Sequence, residues 1–205
     1  MRPHKFTYTL AAASATGYLA NATGATWTLT GTTAGDECSH PVTIHNDSAS
    51  DHKLKTAILT GTDAEDRVIT ETVNLPDVHG GGSDTVTSTL YYKTLVTIVP
   101  SATIGADTMD IGWTALARTP TFPTDVYPTA GPLIGVDLGG TTCNYAVQQT
   151  NDAVYDNNPA SWQALQASGT ANTINQALVG TSGLRVTVAS HTSGVVIVTI
   201  SQARS

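Results

Sequence analysis

Short segments in which apolar and polar residues alternate recur along this chain, and turn-forming residues separate them. The pattern is clearest in Thr26–Thr30, Thr108–Trp113 and Cys143–Val147, where every second residue is apolar. Successive side chains of a β-strand point to opposite faces of the sheet, so this alternation indicates strands with one buried face. The sequence therefore predicts an all-β protein of antiparallel strands.

Composition supports the same fold class. The 205 residues include 36 threonines, whereas charged residues make up only 12%. Threonine, valine and isoleucine suit a pleated sheet, and the strong helix formers are scarce. An apolar content of 40% argues against disorder. We expect a helical turn only at Ser161–Ala167.

Two of the predicted strands form a hairpin. Lys55–Thr60 and Arg67–Val73 alternate in the manner of strands, and the polar residues 61–66 connect them. A connection of six residues suits a hairpin slightly longer than the tightest types. The segment His79–Asp84 contains three glycines and is predicted to be a loop.

Four prolines between Arg118 and Pro132 mark the predicted domain boundary. Proline is excluded from central strands, so this stretch is expected to run extended. We predict two tandem, small antiparallel β-sandwich domains of jelly-roll-like form: residues 1–118 and 133–205, joined by a Pro-rich linker at 119–132. Phe122 and Tyr127 favour a linker that packs on a surface, and a solvated connector is the alternative.

A weak internal repeat supports the division into two. A shift of 89 residues superimposes the end of the first half on the end of the second, with the pattern Val-x-Ser-x-Thr-x-Gly ungapped in both. The matched residues are Leu95, Val99, Ser101, Thr103, Gly105 and Ile111 on Leu184, Val188, Ser190, Thr192, Gly194 and Ile200. The repeat predicts a matching hairpin at the close of each domain, through common ancestry or through similar hairpins alone.

Charge and hydropathy argue against several classes of partner. The formal charge of −7 would repel a phosphate backbone, so we expect no nucleic-acid partner. No apolar run approaches the roughly 18 residues of a membrane helix, and we expect no membrane partner and no signal peptide. Cys38 and Cys143 are consistent either with one disulfide or with a reduced intracellular protein.

Sequence motifs for phosphate binding, metal binding or nucleophilic catalysis are weak or missing in this chain. Residues 134–142 resemble the first phosphate-binding element of actin-like ATPases and sugar kinases, but the chain lacks the rest of such an enzyme. His40, His45 and His52 lie near Asp47 and Asp51, yet their spacing fits no compact metal site, and a polar loop is the favoured interpretation. We found no serine or cysteine in a nucleophile motif. We therefore predict a protein that is not an enzyme, with no catalytic, cofactor-binding or metal-binding residues.

The second half of the chain has an almost neutral surface. Residues 119–205 contain just six charged side chains: Asp125, Asp137, Asp152, Asp156, Arg185 and Arg204. Isolated β domains commonly protect their edges with charge, so a low-charge domain suggests surfaces covered by neighbouring subunits. The alternative is a domain kept in solution by its hydroxyl and amide groups.

Three longer segments resemble accessory virion proteins of tailed bacteriophages. They are Gly17–Trp27, Lys55–Asp63 and Ser101–Trp113. In those proteins a short β domain carries a Thr-Gly-Thr-Asp hairpin and ends in a Lys-Thr-Leu strand and an Ile-Gly-Ala-Asp-Thr turn. The equivalents here are Thr60–Asp63, Lys93–Leu95 and Ile104–Thr108, and the second half resembles the companion domain at Asn144–Gln148, Asn151–Asp152 and Trp162.

The resemblance implies a role in the virus particle, with assembly in the host cytoplasm. Capsid decoration or cement proteins and neck or tail subunits all fit it, and the partners would be the major capsid protein, neck or tail subunits, or further copies of this chain. We expect partner contacts at loops, linker and exposed aromatic residues, namely Asp63, Glu65, Asp66, His79, Gly81, Phe122, Tyr127 and Trp162. The alternative function is a carbohydrate- or receptor-binding module of a tail or fibre, in which tryptophan and tyrosine stack on sugars.

Overall fold

Antiparallel strands form the regular structure of the chain. The computed structural model describes residues 3–80, 84–124, 130–140, 142–152, 161–192 and 194–202, and within these ranges there is no helix. The all-β prediction is therefore confirmed. The strands are β1 (His4–Leu10), β2 (Ser14–Ala22), β3 (His40–Asn46), β4 (Thr56–Thr62), β5 (Val68–Asn74), β6 (Thr85–Tyr92), β7 (Thr94–Pro100), β8 (Met109–Trp113), β9 (Ala117–Arg118), β10 (Phe122–Pro123), β11 (Leu133–Asp137), β12 (Cys143–Thr150), β13 (Gln163–Gly169), β14 (Thr173–Gln176), β15 (Gly183–His191) and β16 (Gly194–Ser201).

The chain divides into two compact units that are not tandem. Residues 13–117 form one unit, which we call the inserted unit. Residues 1–12 and 118–205 form the other, which we call the outer unit because its two segments flank the inserted one in the sequence.

The inserted unit contains two antiparallel sheets. Their strand orders are β2-β8-β3-β6 and β5-β4-β7. One hydrophobic cluster draws on both sheets, with Tyr18, Ile44 and Ile111 from the first and Leu59 and Leu95 from the second. The two sheets thus bury their apolar faces against a shared core, as in a β-sandwich. The predicted hairpin is confirmed, since β4 and β5 pair from Thr56↔Asn74 to Thr62↔Val68.

The outer unit also contains two antiparallel sheets, with the orders β1-β16-β11-β14 and β10-β15-β12-β13. Alternate residues of its strands are buried, including Ile134, Val136 and Val198 in the first sheet and Val147 and Val186 in the second. The period of two seen in the sequence is thus the period of burial.

The two units share one strand order. Both sets of strands can be numbered along the chain, with β2–β8 as strands 1–7 in the inserted unit and β1 followed by β11–β16 as strands 1–7 in the outer unit. Both units then have sheets of order 1-7-2-5 and 4-3-6. The position beside strand 6 is also filled in both. β10 pairs with β15 in the outer unit, and Trp27 and Thr33 form isolated bridges with β7 in the inserted unit.

The observed division differs from the predicted domains of 1–118 and 133–205. β1 pairs with β16 over seven residues, from His4↔Ile200 to Leu10↔Gly194. The first strand of the chain is therefore an edge strand of the outer unit. This segment was not among the predicted strands, and a strand pattern would not have named its partner.

The Pro-rich segment is part of a sheet. Phe122 and Pro123 pair with Leu184 and Gly183, and the Phe122 ring is buried, with its centroid 4.7 Å from that of Phe6. Pro123 is tolerated because β10 is an edge strand, where one side of the backbone needs no partner strand. Residues 119–124 and 130–132 are thus the described part of the predicted linker, and Tyr127 lies outside the described residues.

The predicted helical turn at Ser161–Ala167 is wrong. Gln163–Gly169 is strand β13, which pairs with β12. Glutamine, alanine and leucine are good helix formers, but intrinsic helix propensity is a weak preference that pairing with a neighbouring strand overrides. The register of this pair shifts on either side of Val147.

The predicted closing hairpins are also wrong, although the strand–turn–strand units exist. β7 and β8 lie in different sheets of the inserted unit, and β15 and β16 lie in different sheets of the outer unit. Leu95 and Leu184 are both fully buried, but Val99 is 53% exposed whereas Val188 is 3% exposed. The register of the β4–β7 pair shifts between Thr60 and Gly61. Residues of β7 beyond this shift therefore face the opposite side from the residues that match them 89 positions later in the sequence.

Candidate interaction surface

Within the described ranges, the outer face of the β5-β4-β7 sheet has the largest set of exposed aliphatic side chains on adjacent strands. Ile58 on β4 is 45% exposed, Val68 on β5 is 77% exposed, and Val96 and Val99 on β7 are 57% and 53% exposed. The residues between them on β4, Ala57 and Leu59, are buried. Alternation therefore gives this sheet one core face and one apolar solvent face.

Threonines fill most of the remaining positions of this face, and Asn74 lies opposite Thr56 at its end. Ile58 lies between Thr72 and Val99 in the register, and Thr60 lies between Thr70 and Thr97. The Thr62 and Thr94 hydroxyls are 2.7 Å apart, and those of Thr60 and Thr70 are 3.5 Å apart. Among the described residues, no outward position of the three strands carries a charge. We call this surface the Thr/Ile face.

Neighbouring segments of the same unit lie against both edges of this sheet. On β7, Trp27 and Thr33 form bridges with Ile98 and Thr94. On β5, the Glu71 carboxylate accepts hydrogen bonds from the backbone N–H groups of Thr89 and Leu90 at 2.8 and 3.1 Å. A partner is therefore expected to bind to the face of the sheet and not to add a strand at its edge.

The acidic hairpin between β4 and β5 lies at one end of the Thr/Ile face. The Asp63 carboxylate accepts hydrogen bonds from the backbone N–H groups of Glu65 and Arg67 at 2.9 and 3.0 Å. It also accepts the Arg67 Nε–H at 2.8 Å, and the Glu65 carboxylate pairs with the Arg67 guanidinium at 3.0 Å. Asp66, with its side chain 70% exposed, pairs with Lys93 at 3.0 Å. Of the three carboxylates proposed as contact residues, two thus stabilise the turn itself, and Asp66 projects furthest into solvent.

The other predicted contact residues are scattered. His79 is exposed, and its backbone N–H donates to the Ser48 carbonyl at 2.8 Å. Phe122 is buried at 4% exposure, which removes it from the solvent-facing surface of its unit. Gly81 and Tyr127 lie outside the described residues.

Trp162 belongs to a polar cluster on the outer unit. The Arg185 guanidinium lies 3.8 Å from the centroid of the Trp162 ring, and Arg185 Nε–H donates to Gln148 Oε1 at 2.8 Å. Trp162 is half-buried. An indole, a guanidinium and an amide side by side provide stacking and hydrogen bonding for a polar ligand.

The histidines that cluster in the sequence do not form one site. His40 pairs with Asp36 at 2.9 Å, His45 with Asp47 at 3.1 Å, and His52 with Asp107 at 2.9 Å. Burial raises the pKa of Asp110, which faces His45 across the β3–β8 pair, and the nearby charge of Asp47 raises it further. Of the two aspartates that lie near these histidines in the sequence, Asp47 contacts His45, whereas Asp51 pairs with Lys53.

Both cysteines are free and buried. Burial raises the pKa of each thiol, and at Cys38 the negative charges of Asp36 and Glu37 add to the effect. Both thiols are therefore held in the protonated form, which is unreactive. The disulfide alternative left open by the sequence is not formed.

The glycine-rich segment that resembles a phosphate loop is a turn between β11 and β12. Asp137 accepts the Gly139 N–H at 3.0 Å and the Asn172 Nδ2–H at 2.9 Å. The carboxylate of this motif thus stabilises the turn. Thr141 lies outside the described residues.

Comparisons with known proteins found no relative. The chain matches no protein-family model, no curated protein and no solved structure. In the part of the chain that the structure describes, no helix has the length and apolar character needed to cross a membrane.

Proposed function

We propose that this protein is a non-enzymatic structural component of a bacteriophage virion, either a capsid decoration or cement protein or a neck- or tail-associated subunit. It acts by protein–protein contact, through the Thr/Ile face, with the major capsid protein or with neck or tail subunits. It assembles in the host cytoplasm and functions in the particle. The observation that carries the proposal is the exposed, uncharged aliphatic surface on β4, β5 and β7.

The energetics of the Thr/Ile face favour permanent contact. Each fully buried aliphatic side chain contributes about 1.5–3 kcal/mol, and four such side chains are exposed here. Two threonine hydroxyls that bond one another, as at Thr62 and Thr94, satisfy one of their two O–H donors within the face, which halves the number of donors that a partner must satisfy. Because the strands present no charge, contact with a neighbouring uncharged surface incurs no desolvation of ions.

We further infer that both units are small jelly rolls. With β10 counted and the two-residue β9 left out, the strands of the outer unit number eight, in two sheets of order 1-8-3-6 and 2-7-4-5, which is the order of a jelly roll. The inserted unit follows it with the second strand reduced to bridges at Trp27 and Thr33. Jelly rolls occur in viral capsid proteins and in lectins, so the strand order agrees with a particle role without requiring it.

The low charge of residues 119–205 supports multiple neighbours in an assembly. Leu133, Ile174, Leu178 and Val179 are 41%, 76%, 56% and 60% exposed on the outer unit. Exposed aliphatic residues without surrounding charge favour association, and we propose further copies of this chain among the partners.

Sedimentation tests the proposal. The purified protein is first measured by sedimentation velocity and is then sedimented with empty capsids and with isolated tails of the phage that encodes it. We expect binding to one of these particles, and Ile58→Lys should abolish it by placing a charge in the contact. Thr87→Lys is the matched control, because Thr87 is an exposed strand residue on the other sheet of the same unit. Binding that survives Ile58→Lys would refute the assigned face, and no binding of the wild type to either particle would refute the function.

A carbohydrate- or receptor-binding module is the second candidate. It is favoured by Trp162, with Arg185 stacked on its ring and Gln148 beside it. A glycan array with wild type and Trp162→Ala tests it. Binding of a defined glycan by the wild type and its loss in the variant would favour the module, and an array without any signal would exclude it.

A further inference from the structure

We propose that His45, His79 and Asp84 form a binding site for a divalent transition metal of the zinc class. One ligand atom from each of these side chains lies within 4.8 Å of the others. A tetrahedral ion with bonds of about 2.0–2.1 Å holds its ligands about 3.4 Å apart, so small side-chain rotations would close the site. Two imidazoles and one carboxylate are a donor set that zinc and its neighbours prefer.

The fold brings these residues together from three places in the chain. His45 lies on the outer face of β3, Asp84 immediately precedes β6, and His79 lies in the connection between β5 and β6. The Asn46 N–H donates to the Asp84 carbonyl at 2.9 Å, and the His79 N–H donates to the Ser48 carbonyl at 2.8 Å. The backbones of Asp84 and His79 are therefore each hydrogen-bonded to the residues that follow His45.

The surroundings of His45 resemble those of a metal ligand. Its Nδ1 lies 2.8 Å from Thr85 Oγ1, and its Nε2 lies 3.1 Å from Asp47 Oδ1. Whichever nitrogen binds the ion, the other keeps an oxygen partner, and such a partner orients the ring in metal sites. The Thr85 hydroxyl in turn donates to Asp84 Oδ1 at 3.3 Å, which links two of the proposed ligands.

Charge at this position also favours a cation. Asp47 and Asp84 lie beside His45, and Asp110 of β8 lies opposite His45 in the register of the β3–β8 pair. The His79 ring packs edge-on to that of His45, with centroids 5.5 Å apart. Three protein ligands leave a fourth position for water or for a group from a neighbouring molecule, and an ion would tie the β5–β6 connection to the end of β3.

Metal titration of the untagged full-length protein tests the site. Zn²⁺ is titrated by calorimetry, and Co²⁺ is added separately to record the visible absorption of a tetrahedral complex. We expect one ion per chain for the wild type. His79→Gln and Asp84→Asn should each weaken binding by at least tenfold, and His4→Gln, which removes an exposed histidine of the outer unit, should leave it unchanged.

Stoichiometric binding that survives both ligand substitutions would overturn the assignment, as would a wild type that binds no ion. His79 is exposed, and the hydrogen bond that holds it to Ser48 comes from its backbone N–H, so the variant His79→Gln is expected to fold normally. The test uses metal alone, and its failure would leave the proposed role in the particle untouched.

Discussion

His40 Nε2 lies 2.9 Å from Asp36 Oδ2 in the interior of the inserted unit, with the two side chains 0% and 2% exposed. The other ring nitrogen, Nδ1, lies 3.2 Å from the Thr114 carbonyl, and Asp36 also accepts the Cys38 N–H at 3.0 Å. A carbonyl only accepts hydrogen bonds, so Nδ1 donates to it. The pair thus satisfies every polar group that it buries, which is the condition for tolerating charge in a core.

Asp36→Asn should strongly destabilise the inserted unit. The substitution leaves His40 facing an amide in place of its carboxylate partner, and breaking a buried pair costs about 3–5 kcal/mol. Asp66→Asn is the matched control, because it removes the exposed pair with Lys93 and should cost less than about 1 kcal/mol. Urea denaturation measures both, and equal losses would show that the buried pair contributes no more than the surface one.

Two buried tyrosines should tolerate loss of their hydroxyl groups. Among the described residues, Tyr18 Oη and Tyr92 Oη have no hydrogen-bond partner, although both side chains are fully buried. Tyr18→Phe and Tyr92→Phe should therefore leave stability unchanged or raise it by up to about 1 kcal/mol, since an unsatisfied polar group is removed. Thermal and urea unfolding of the single variants measure the effect.

Tyr145→Phe is the control for these variants. Tyr145 is equally buried, but its hydroxyl donates to the Ala171 carbonyl at 2.7 Å. Its loss should cost about 1 kcal/mol. If all three substitutions destabilise equally, the Tyr18 and Tyr92 hydroxyls have partners in solution.

Alkaline pH should destabilise the inserted unit. Burial raises the pKa values of Tyr18, Tyr92 and Cys38 in the folded protein. The unfolded chain ionises near the ordinary values of about 8.5 for cysteine and 10 for tyrosine, so above them the folded state binds more protons. The contribution of these groups to the free energy of unfolding should therefore be fully present below about pH 8. It should fall as the pH rises toward the raised pKa values of the folded state. Urea unfolding between about pH 7.5 and 10.5 measures the slope, and Tyr18→Phe with Tyr92→Phe should flatten it above about pH 10.

The two thiols should be unreactive in the folded protein. Cys38 and Cys143 are each 1% exposed, and their raised pKa values disfavour the thiolate. A chromogenic disulfide reagent at pH 8 should label neither cysteine in native protein and both after denaturation without reductant. Fewer than two reactive thiols in the denatured, unreduced protein would indicate a disulfide, and rapid labelling of native protein would contradict the burial of the thiols.

Local pattern predicted the strands well because alternation and burial have the same period. Cys143–Val147 falls within β12, and Thr108–Trp113 covers β8. Thr26–Thr30 was also predicted to be a strand, but it forms only the isolated bridge of Trp27 with Ile98. The β4–β5 hairpin was predictable for a similar reason, since its two strands and its polar turn are adjacent in sequence. The Thr/Ile face was also visible in principle, because Ile58 alternates with Ala57 and Leu59 on a strand that is otherwise threonine and glycine.

Long-range pairing was beyond the reach of local pattern. An alternating segment satisfies its hydrogen bonds with any neighbour of matching register, so β1 carried no mark of its pairing with β16. The same reason explains why the closing strands were taken for hairpins. Only the assembled core decides which partner buries the apolar face of each strand.

The amino-acid sequence by itself determined the all-β class, the positions of β8 and β12, the β4–β5 hairpin and the low charge of the second half, because these follow from side-chain alternation and composition. Only the tertiary structure decided the interrupted outer unit, the sheet role of Phe122 and the gathering of His45, His79 and Asp84. Those features depend on which distant strands pair, and pairing is set by the joint burial of faces from segments far apart in the chain.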